Sequence, residues 1–372
     1  MAALLFYGSL RDAALMRVVL GTDNVVMQDA VLPGHGVYWA DGQMFPTIEA
    51  QEGAVASGVL VADLDADQVA RLDFYEGGFG YDLREVQVEV AGEGQAALVY
   101  FPRPGQWTRG APFDLAAWQE KWGAISRLAA VEAMGYLGRF SGSELAWRMP
   151  MIRARAASTL AATGVPANVR TDTSRDTVQM IDSTASHAGF FVMKVMELRY
   201  PTFEGTTSDT LRREVFIATD AALVLPYDPV RDRVLLVEQF RTGPYGRGDP
   251  RPWMLEPVAG RVDPGETPEQ TAHRECMEEA GITLKGLEKI AAYYCTPGYS
   301  TEYFHNYVGL ADLPDDLPRL GGLDVEAEDI RLHLLSFADA MALIDTGEAD
   351  NGPLILSLMW LSQNRERLRA AP

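Results

Sequence analysis

Three glutamates within one short stretch are the clearest sign of chemistry in this chain. Glu275, Glu278 and Glu279 follow one another within five positions. If the stretch is helical, these side chains lie close together, and like charges at that spacing cost roughly 0.2–0.5 kcal/mol per pair. A divalent cation that prefers oxygen ligands would offset this repulsion, and Mg²⁺ keeps waters that a phosphate group can replace. The residue types therefore predict a metal site for phosphate chemistry.

The surrounding sequence predicts the helix that positions these glutamates. Residues from Glu269 to Ala280 favour helix, with Thr267 as the N-cap and Pro268 at the first helical position. A narrow apolar stripe recurs every four residues and can pack on a sheet; it consists of Ala272, Cys276 and Ala280. We therefore expect the glutamates on the side of the helix opposite the sheet.

The alternative for such a charge run is a solvated acidic face, on which Arg274 pairs with Glu278 one turn later. The loop from Gly260 to Gly265 contains glycines that allow backbone to approach an ion closely. The loop, the arginine and the spacing together favour the metal site.

The stretch from Gly260 to Ile282 resembles the signature of the Nudix hydrolases. It fits the spacing G-x5-E-x7-R-E-U-x-E-E-x-G-U, where U is a bulky apolar residue, with Cys276 as a mild departure at the first U. The resemblance implies an α/β/α sandwich and two or three Mg²⁺ ions, or Mn²⁺ in their place. The implied metal ligands are Glu275 and Glu279, assisted by Glu278 and the carbonyl of Ala259.

Flanking segments resemble the ADP-ribose pyrophosphatase branch of that family. A proline that this branch carries 16 residues after the second glycine of the signature corresponds to Pro297, followed by Gly298. The resemblance implies that Arg241 contacts the diphosphate or ribose, as guanidinium matches phosphate; a surface ion pair is the alternative. Glu302 would orient the substrate or a metal-bound water.

A long loop from Ala311 to Glu328 precedes the next predicted strand, and loops of this length are often functional. Its end resembles the mobile loop that carries the catalytic base in ADP-ribose pyrophosphatases. Glu326 is the first candidate for that base and Glu328 is the second. The alternative is that both are solvated loop acids.

The N-terminus carries a second set of motifs. The strand Leu4–Tyr7 runs into a glycine turn and then a helix, which leaves backbone N–H groups free for an anion. The motifs FYGSL, FPTI and LDFYEG resemble the gamma-glutamylcyclotransferase-like (AIG2-like) family. The resemblance implies that Glu76 is a general acid/base and that a turn surrounds the substrate, the turn being Tyr7, Gly8, Ser9 and Leu10. The alternatives are that Glu76 only caps a turn and that Tyr7 is a core aromatic.

The fold expected is α+β and α/β in two domains. Residues 1–145 form an N-terminal domain, for which the resemblance to the gamma-glutamylcyclotransferase-like family implies a mixed β-barrel with helices, and residues 146–188 form a helical segment and connector. Residues 189–372 form the α/β/α sandwich. Within it, residues 189–218 form a small β-layer, which the resemblance implies is exchanged between the subunits of a homodimer.

Composition excludes several classes of function. The 372 residues carry 32 basic and 52 acidic side chains, a net charge of −20, which argues against coating nucleic acid or a membrane surface. The two cysteines imply no disulfide framework, and a reducing cytoplasm fits them. No apolar segment approaches membrane-spanning length.

The activity implied is Mg²⁺-dependent hydrolysis of ADP-ribose to AMP and ribose 5-phosphate. Three other readings stay open at this point. They are a hydrolase for another nucleoside diphosphate sugar, a metabolite-binding regulator, and a bifunctional enzyme whose N-terminal domain is a gamma-glutamyl cyclotransferase.

Overall fold

A computed structural model describes residues 1–323 and 328–370. The chain divides into two compact units, residues 1–166 and 167–372. Within the predicted helical segment and connector, 146–188, residues 162–174 contain neither helix nor strand. The first part of this predicted segment lies in a helix of the first unit and its last part in a strand of the second. Neither unit contains, within its described residues, a helix both long and apolar enough to cross a membrane.

The first unit is built on a closed barrel of five strands. The strand order is β3-β1-β5-β4-β2, and β2 returns to pair with β3. The pairing of β1 with β5 is parallel and the others are antiparallel, so the predicted mixed barrel is confirmed. A sixth strand extends the edge of β2. The strands are β1 Ala2–Phe6, β2 Gln28–Ala40, β3 Pro46–Leu64, β4 Tyr81–Val90, β5 Glu93–Pro102 and β6 Arg109–Pro112.

Helices accompany this barrel, whose interior is filled by alternating strand residues such as Leu5, Val88 and Val99. One helix, α2, starts with a capping box in which Asp65 and Gln68 satisfy each other's backbone N–H groups. Another, α5, starts with the same device at Ser141 and Glu144. The helices are α1 Ala13–Leu20, α2 Ala66–Glu76, α3 Leu115–Trp118, α4 Ala124–Met134 and α5 Gly142–Ala161.

The second unit is a mixed sheet of eight strands. Its order is β14-β15-β10-β11-β17-β16, with β12 paired to β11 and β13 to β10. The pairing of β10 with β15 is parallel. The strands are β10 Asp220–Asp228, β11 Arg233–Phe240, β12 Trp253–Glu256, β13 Val258–Arg261, β14 Leu284–Tyr294, β15 Tyr303–Ala311, β16 Leu320–Gly321 and β17 Ile330–Ser336. The short β16 lies inside the loop that was predicted to have no structure.

Helices cover both faces of this sheet. Val224 and Leu235 belong to one core cluster with α7, whereas Leu225 and Leu236 belong to another with α8 and α9. Because successive strand residues point to opposite faces, the predicted α/β/α sandwich is confirmed. The helices are α6 Thr242–Arg247, α7 Pro268–Ala280, α8 Phe337–Thr346 and α9 Gly352–Ala370.

A separate three-stranded sheet precedes the sandwich, in the order β7-β8-β9. Its strands are β7 Gln179–Ala188, β8 Val192–Arg199 and β9 Leu211–Ile217. The predicted β-layer contained the second and third of these but placed the first in the connector. Phe216 of β9 bonds through its backbone to Tyr299 and Thr301. The small sheet is thereby tied to the turn between β14 and β15.

Candidate active site

The helix α7 forms as its sequence predicts. Thr267 is the N-cap and its hydroxyl accepts from the N–H of Gln270 at 3.2 Å, while Pro268 is the first helical residue. The helix ends at Gly281, whose φ of 65° favours glycine. The apolar stripe of Ala272, Cys276 and Ala280 is buried in the sandwich core. This packing sets the rotation of the helix and therefore the direction of each glutamate.

Glu279 does not point away from the sheet, as the helical pattern had predicted. It is 2% exposed, and its carboxylate accepts from the backbone N–H of Ala259, at the middle of β13, at 3.3 Å. Burial, together with the charges of Glu275 and Glu328, raises its pKa to about 8. The prediction was wrong because α7 packs against β13 along Cys276 and Ala280. The strand therefore also covers the neighbouring residue, Glu279.

Glu275 lies beside the same strand, at the predicted glycine. A Cβ built on Gly260 would lie 1.8 Å from Oε1 of Glu275, so only glycine leaves room for that carboxylate. The side chain of Glu275 is 12% exposed, against 33% for Glu278. Glu275 and Glu279 therefore form the inner pair, in which Glu279 is buried and Glu275 is partly buried, and Glu278 lies at the rim.

Arg274 connects the motif loop to the helix. Its Nη1 donates to Glu275 at 2.7 Å and to Glu278 at 2.8 Å, which confirms the predicted pair with Glu278. Its Nε donates to Glu266 at 3.0 Å, and its Nη2 donates to the carbonyl of Arg261 at 3.1 Å. The guanidinium of Arg274 thus links the loop before α7 to Glu275 and Glu278 of the helix.

The chemistry of this donor set fits a hard divalent cation. Glu275 lies close enough to Glu279 for its charge to add to the larger effect of burial in raising the pKa of Glu279. As placed, no group of three or more His, Cys, Asp or Glu side chains within residues 1–323 and 328–370 could hold a metal ion. A divalent cation would therefore be held by Glu275 and Glu279 together with the carbonyl of Ala259, with Glu278 at the rim. Oxygen ligands supplemented by water are what Mg²⁺ prefers.

Arg241 lies close enough to Glu279 for its charge to lower the pKa of that carboxyl, against the larger effects of burial and of the acidic neighbours. Its Nε donates to Glu256 at 2.6 Å. Burial raises the pKa of Glu256, and Arg241 opposes that rise. The sequence alone did not single out Glu256, although it lies only four residues before Gly260 of the signature. Arg241 is therefore held at the site by an ion pair with Glu256, and its contact with the diphosphate or ribose stays a prediction.

Pro297 and Gly298 lie exposed in the turn between β14 and β15. Glu302, at the end of this turn, accepts from the thiol of Cys295 at 2.9 Å, and its N–H donates to Ser300. Burial and then Glu302 raise the pKa of Cys295 to about 12, so the thiol stays protonated and serves as a donor. The structure places these residues together, but not in hydrogen-bond contact with the α7 carboxylates.

The two candidates for the base differ in what the structure shows. Glu326 lies outside the described residues. Glu328 accepts from the N–H of Leu323 at 3.2 Å, and its charge contributes to the raised pKa of Glu279. The preceding strand β16 reaches the end of α7, since a Cβ on Gly321 would lie 1.8 Å from the carbonyl oxygen of Glu279. The loop therefore adds Glu328 to the glutamates of α7.

The first unit contains a pocket of its own, with about 670 Å³ of empty volume including the part open to solvent. The predicted turn Tyr7 to Leu10 lines it. Gly8 is required there, because a Cβ would lie 2.8 Å from Cγ of Pro46. The hydroxyl of Tyr7 donates to the carbonyl of Tyr100 at 2.9 Å, and Tyr7 also belongs to the barrel core. Tyr7 is therefore a core aromatic that also lines the pocket, and its contact with a substrate stays a prediction.

Glu76 lines the same pocket, at the end of α2. Burial raises its pKa to about 7, and the charge of Arg153 opposes the rise. It makes no capping contact with the Gly77–Phe79 turn, so the turn-capping alternative finds no support. Arg153 was not predicted; the signal for it was an arginine four residues after Met149 on an otherwise apolar helix face. A carboxyl with a pKa near neutrality can both accept and return a proton.

Comparisons with known proteins agree with these two sites. Residues 218–358 match the NUDIX domain, and residues 4–120 match the family described as gamma-glutamyl cyclotransferase, AIG2-like. An ADP-ribose pyrophosphatase of Escherichia coli (strain K12) is 35% identical over 204 residues, which are 55% of this chain and 97% of that protein.

Two further relatives are similar over the same half of the chain. An ADP-ribose pyrophosphatase of Haemophilus influenzae is 34% identical over 198 residues, 53% of this chain and 91% of that protein. A GDP-mannose pyrophosphatase of Shigella flexneri is 31% identical over 180 residues, 46% of this chain and 93% of that protein. The chain therefore belongs to the Nudix family of hydrolases that act on pyrophosphate bonds, and it carries a gamma-glutamyl cyclotransferase, AIG2-like, domain ahead of its Nudix domain.

Proposed function

We propose that the Nudix domain hydrolyses ADP-ribose to AMP and ribose 5-phosphate in a Mg²⁺-dependent reaction. The observation that carries this proposal is the inner pair of partly buried Glu275 and buried Glu279 beside Gly260, to which Glu328 of the loop adds a further acidic group. Such a cluster is costly unless cations and an anionic substrate share it. The names of the relatives favour a nucleoside diphosphate compound as that substrate.

The residues divide the work as follows. Glu275 and Glu279 hold the cation, which when bound neutralises charge on the diphosphate oxygens and lowers the pKa of a water. Arg241, fixed by Glu256, donates to the diphosphate or the ribose. Glu326 or Glu328 takes the proton from the attacking water once the loop brings it within hydrogen-bond reach.

A release assay tests this proposal. Purified full-length protein is incubated with ADP-ribose, ADP-glucose, GDP-mannose or FAD, with Mg²⁺ or with a chelator, and nucleoside monophosphate is measured. We expect AMP from ADP-ribose, dependent on Mg²⁺, at the highest kcat/KM of the panel. A higher kcat/KM for GDP-mannose would assign the domain to a different nucleotide sugar. Tight ADP-ribose binding without hydrolysis would indicate a regulator instead.

Paired variants separate the two candidate bases. Glu326→Gln and Glu328→Gln are compared at saturating Mg²⁺ and ADP-ribose. Loss of the base should lower kcat by about 10²- to 10⁴-fold, whereas loss of a solvated acid should leave kcat within a small factor. If both variants keep full kcat, the loop does not supply the base.

We propose, second, that the N-terminal domain is a gamma-glutamyl cyclotransferase, because Glu76 combines pocket access with a pKa of about 7. The α-amine nitrogen of the substrate forms a bond to the γ-carbonyl carbon, and the amide C–N bond breaks. Glu76 accepts the proton of the attacking amine and returns it to the leaving amine. Release of 5-oxoproline from a panel of γ-glutamyl amines and peptides, absent in Glu76→Gln, tests this.

A homodimer through the small sheet is proposed as well. β7 to β9 and their turns expose large apolar side chains, which monomers rarely cluster; these are Met180, Ile181, Phe190, Phe191 and Phe203. Sedimentation of the full chain tests the proposal. Phe190→Asp combined with Phe191→Asp should convert a dimer to a monomer, and a wild-type monomer at micromolar concentration would overturn it.

A further inference from the structure

An arginine in the N-terminal pocket comes from outside the part of the chain that matches the cyclotransferase family. Arg153 lies on α5, whereas the match ends at residue 120. The helix approaches the pocket through two glycines: a Cβ on Gly78 would lie 1.9 Å from the carbonyl oxygen of Gly142. This close approach starts α5 directly beside the turn that follows Glu76. The helix then passes the pocket, which Met149 and Arg153 line one turn apart.

The position of α5 is fixed by its other face. Arg155, only 3% exposed, pairs with Glu132 of α4, with Nη2 and Oε1 2.5 Å apart. Ile152 and Ala154 are buried on either side of Arg153. The helix cannot rotate without breaking this buried ion pair, and a buried charge that loses its partner is strongly destabilising. Arg153 is therefore held toward the pocket by the packing of its neighbours.

Arg153 has no acidic partner within ion-pair distance among the described residues. Its guanidinium lies over the ring of Phe45, 5.3 Å from the centroid. Burial lowers its pKa, and the nearby Tyr75 and Glu76 oppose that effect. A guanidinium in a partly buried pocket is costly without a carboxylate to accept its N–H groups. Such a cost is typical of a residue that receives its partner from a ligand.

Glu76 and Arg153 therefore present opposite charges to one cavity without pairing directly. A ligand that carries a carboxylate and an amine can satisfy both, the carboxylate at the guanidinium and the amine at Glu76. We propose that Arg153 binds the α-carboxylate of an amino-acid-like ligand and so determines which compounds the pocket accepts. This proposal rests on the cyclotransferase proposed above and deepens it, since an α-carboxylate beside the reacting amine is what an N-terminal γ-glutamyl group offers.

Binding of a carboxylate and its neutral counterpart tests the role of Arg153 without requiring turnover. The full-length protein is titrated with 5-oxoproline and with 2-pyrrolidinone, which differ only in the carboxylate, and binding is measured by ligand-observed NMR. We expect 5-oxoproline to bind at least about tenfold more tightly. Arg153→Met should weaken the binding of 5-oxoproline about 10- to 100-fold and leave the binding of 2-pyrrolidinone unchanged. Equal binding of both compounds by the wild type would overturn the proposal.

Two variants control for folding and for charge. Arg148→Met makes the same change on the same helix, at a residue that does not line the pocket, and should leave 5-oxoproline binding unchanged. Arg153→Lys keeps a charge but loses the planar pair of donors, so it should restore part of the binding. Thermal unfolding of Arg153→Met should be as cooperative as that of the wild type. If Arg153→Met binds 5-oxoproline as tightly as the wild type does, the guanidinium has only a structural role.

The pH dependence of binding gives a readout that a structural role would not change. Ionised Glu76 repels the carboxylate of 5-oxoproline, so binding should weaken as pH rises through about 7. Glu76→Gln should abolish this pH dependence. In that background, Arg153→Met should still weaken the binding of 5-oxoproline. A protein that binds 5-oxoproline through Arg153 but turns over no γ-glutamyl compound would refute the cyclotransferase alone. Turnover that is unaffected by Arg153→Met would refute the inference alone.

Discussion

Glu279 shows at the scale of one residue why a buried carboxylate belongs to a functional site. It is nearly inaccessible, receives one backbone N–H, and lies beside Glu275 and Glu328. We expect Glu279→Gln to lower kcat/KM for ADP-ribose by roughly a hundredfold or more, because a neutral amide no longer holds the cation. Glu269→Gln, on the exposed first turn of α7, is the matched control and should stay within about twofold. Near-normal turnover in Glu279→Gln would contradict the metal assignment.

The same residue predicts a stability effect that needs no substrate. Cation binding to the folded state alone raises the melting temperature in proportion to ln(1 + [L]/Kd). We expect Mg²⁺ to raise the melting temperature of the Nudix transition in the wild type, and a chelator to reverse the rise. Differential scanning calorimetry should show no such rise in Glu279→Gln. An equal rise in both proteins would place the cation elsewhere.

Glu76 carries a pH prediction with a definite sign. Its folded pKa of about 7 exceeds the ordinary value of 4.5, so the folded state binds more protons than the unfolded state between these values. The free energy of unfolding of the N-terminal domain should therefore fall as pH rises from about 4.5 to 7. Glu76→Gln should flatten this part of the profile. Urea titrations across that pH range measure it, and an unchanged slope in the variant would show that Glu76 is not the group responsible.

At the scale of elements, the adjacent glycines Gly77 and Gly78 differ in how closely the rest of the chain packs against them. A Cβ on Gly78 would lie 1.9 Å from the backbone of Gly142, whereas one on Gly77 would meet nothing within 4 Å. Gly78→Ala should therefore displace α5, lower the free energy of unfolding by about 1–3 kcal/mol, and weaken 5-oxoproline binding. Gly77 has a helical φ of −64°, which alanine also adopts. Gly77→Ala should therefore leave the free energy of unfolding unchanged or raise it slightly. Equal effects of both substitutions would contradict the packing described for α5.

At the scale of the whole molecule, each half has the interior of an independent domain. The barrel core contains Leu5 and Val99, and the sandwich core contains Val224 and Leu235. We expect fragments 1–166 and 167–372 to unfold cooperatively on their own. The second fragment should retain Mg²⁺-dependent hydrolysis at a kcat within a few-fold of the full chain. Circular dichroism and the release assay measure both properties, and an unfolded or inactive second fragment would contradict the division at residue 166.

Most of the correct predictions about helix α7 and the two families rested on residues close together in the sequence. The N-cap Thr267, the apolar stripe through Cys276 and the C-cap Gly281 act within a few residues, so α7 was predicted almost to its ends. The assignment to the Nudix family with an AIG2-like domain was confirmed for the same reason, since its motifs are short and fixed in spacing. The roles of the single site residues remain proposals.

Contacts between distant segments could not be predicted from spacing. The amino-acid sequence by itself determined which helix bears the acidic cluster, where the barrel and the sandwich lie, and which families they resemble, because capping and periodicity are local properties. Only the tertiary structure buried Glu279 against β13, paired Arg241 with Glu256, and turned Arg153 of α5 into the pocket of Glu76. Burial depends on what packs over a residue, and that covering surface comes from chain far away in sequence.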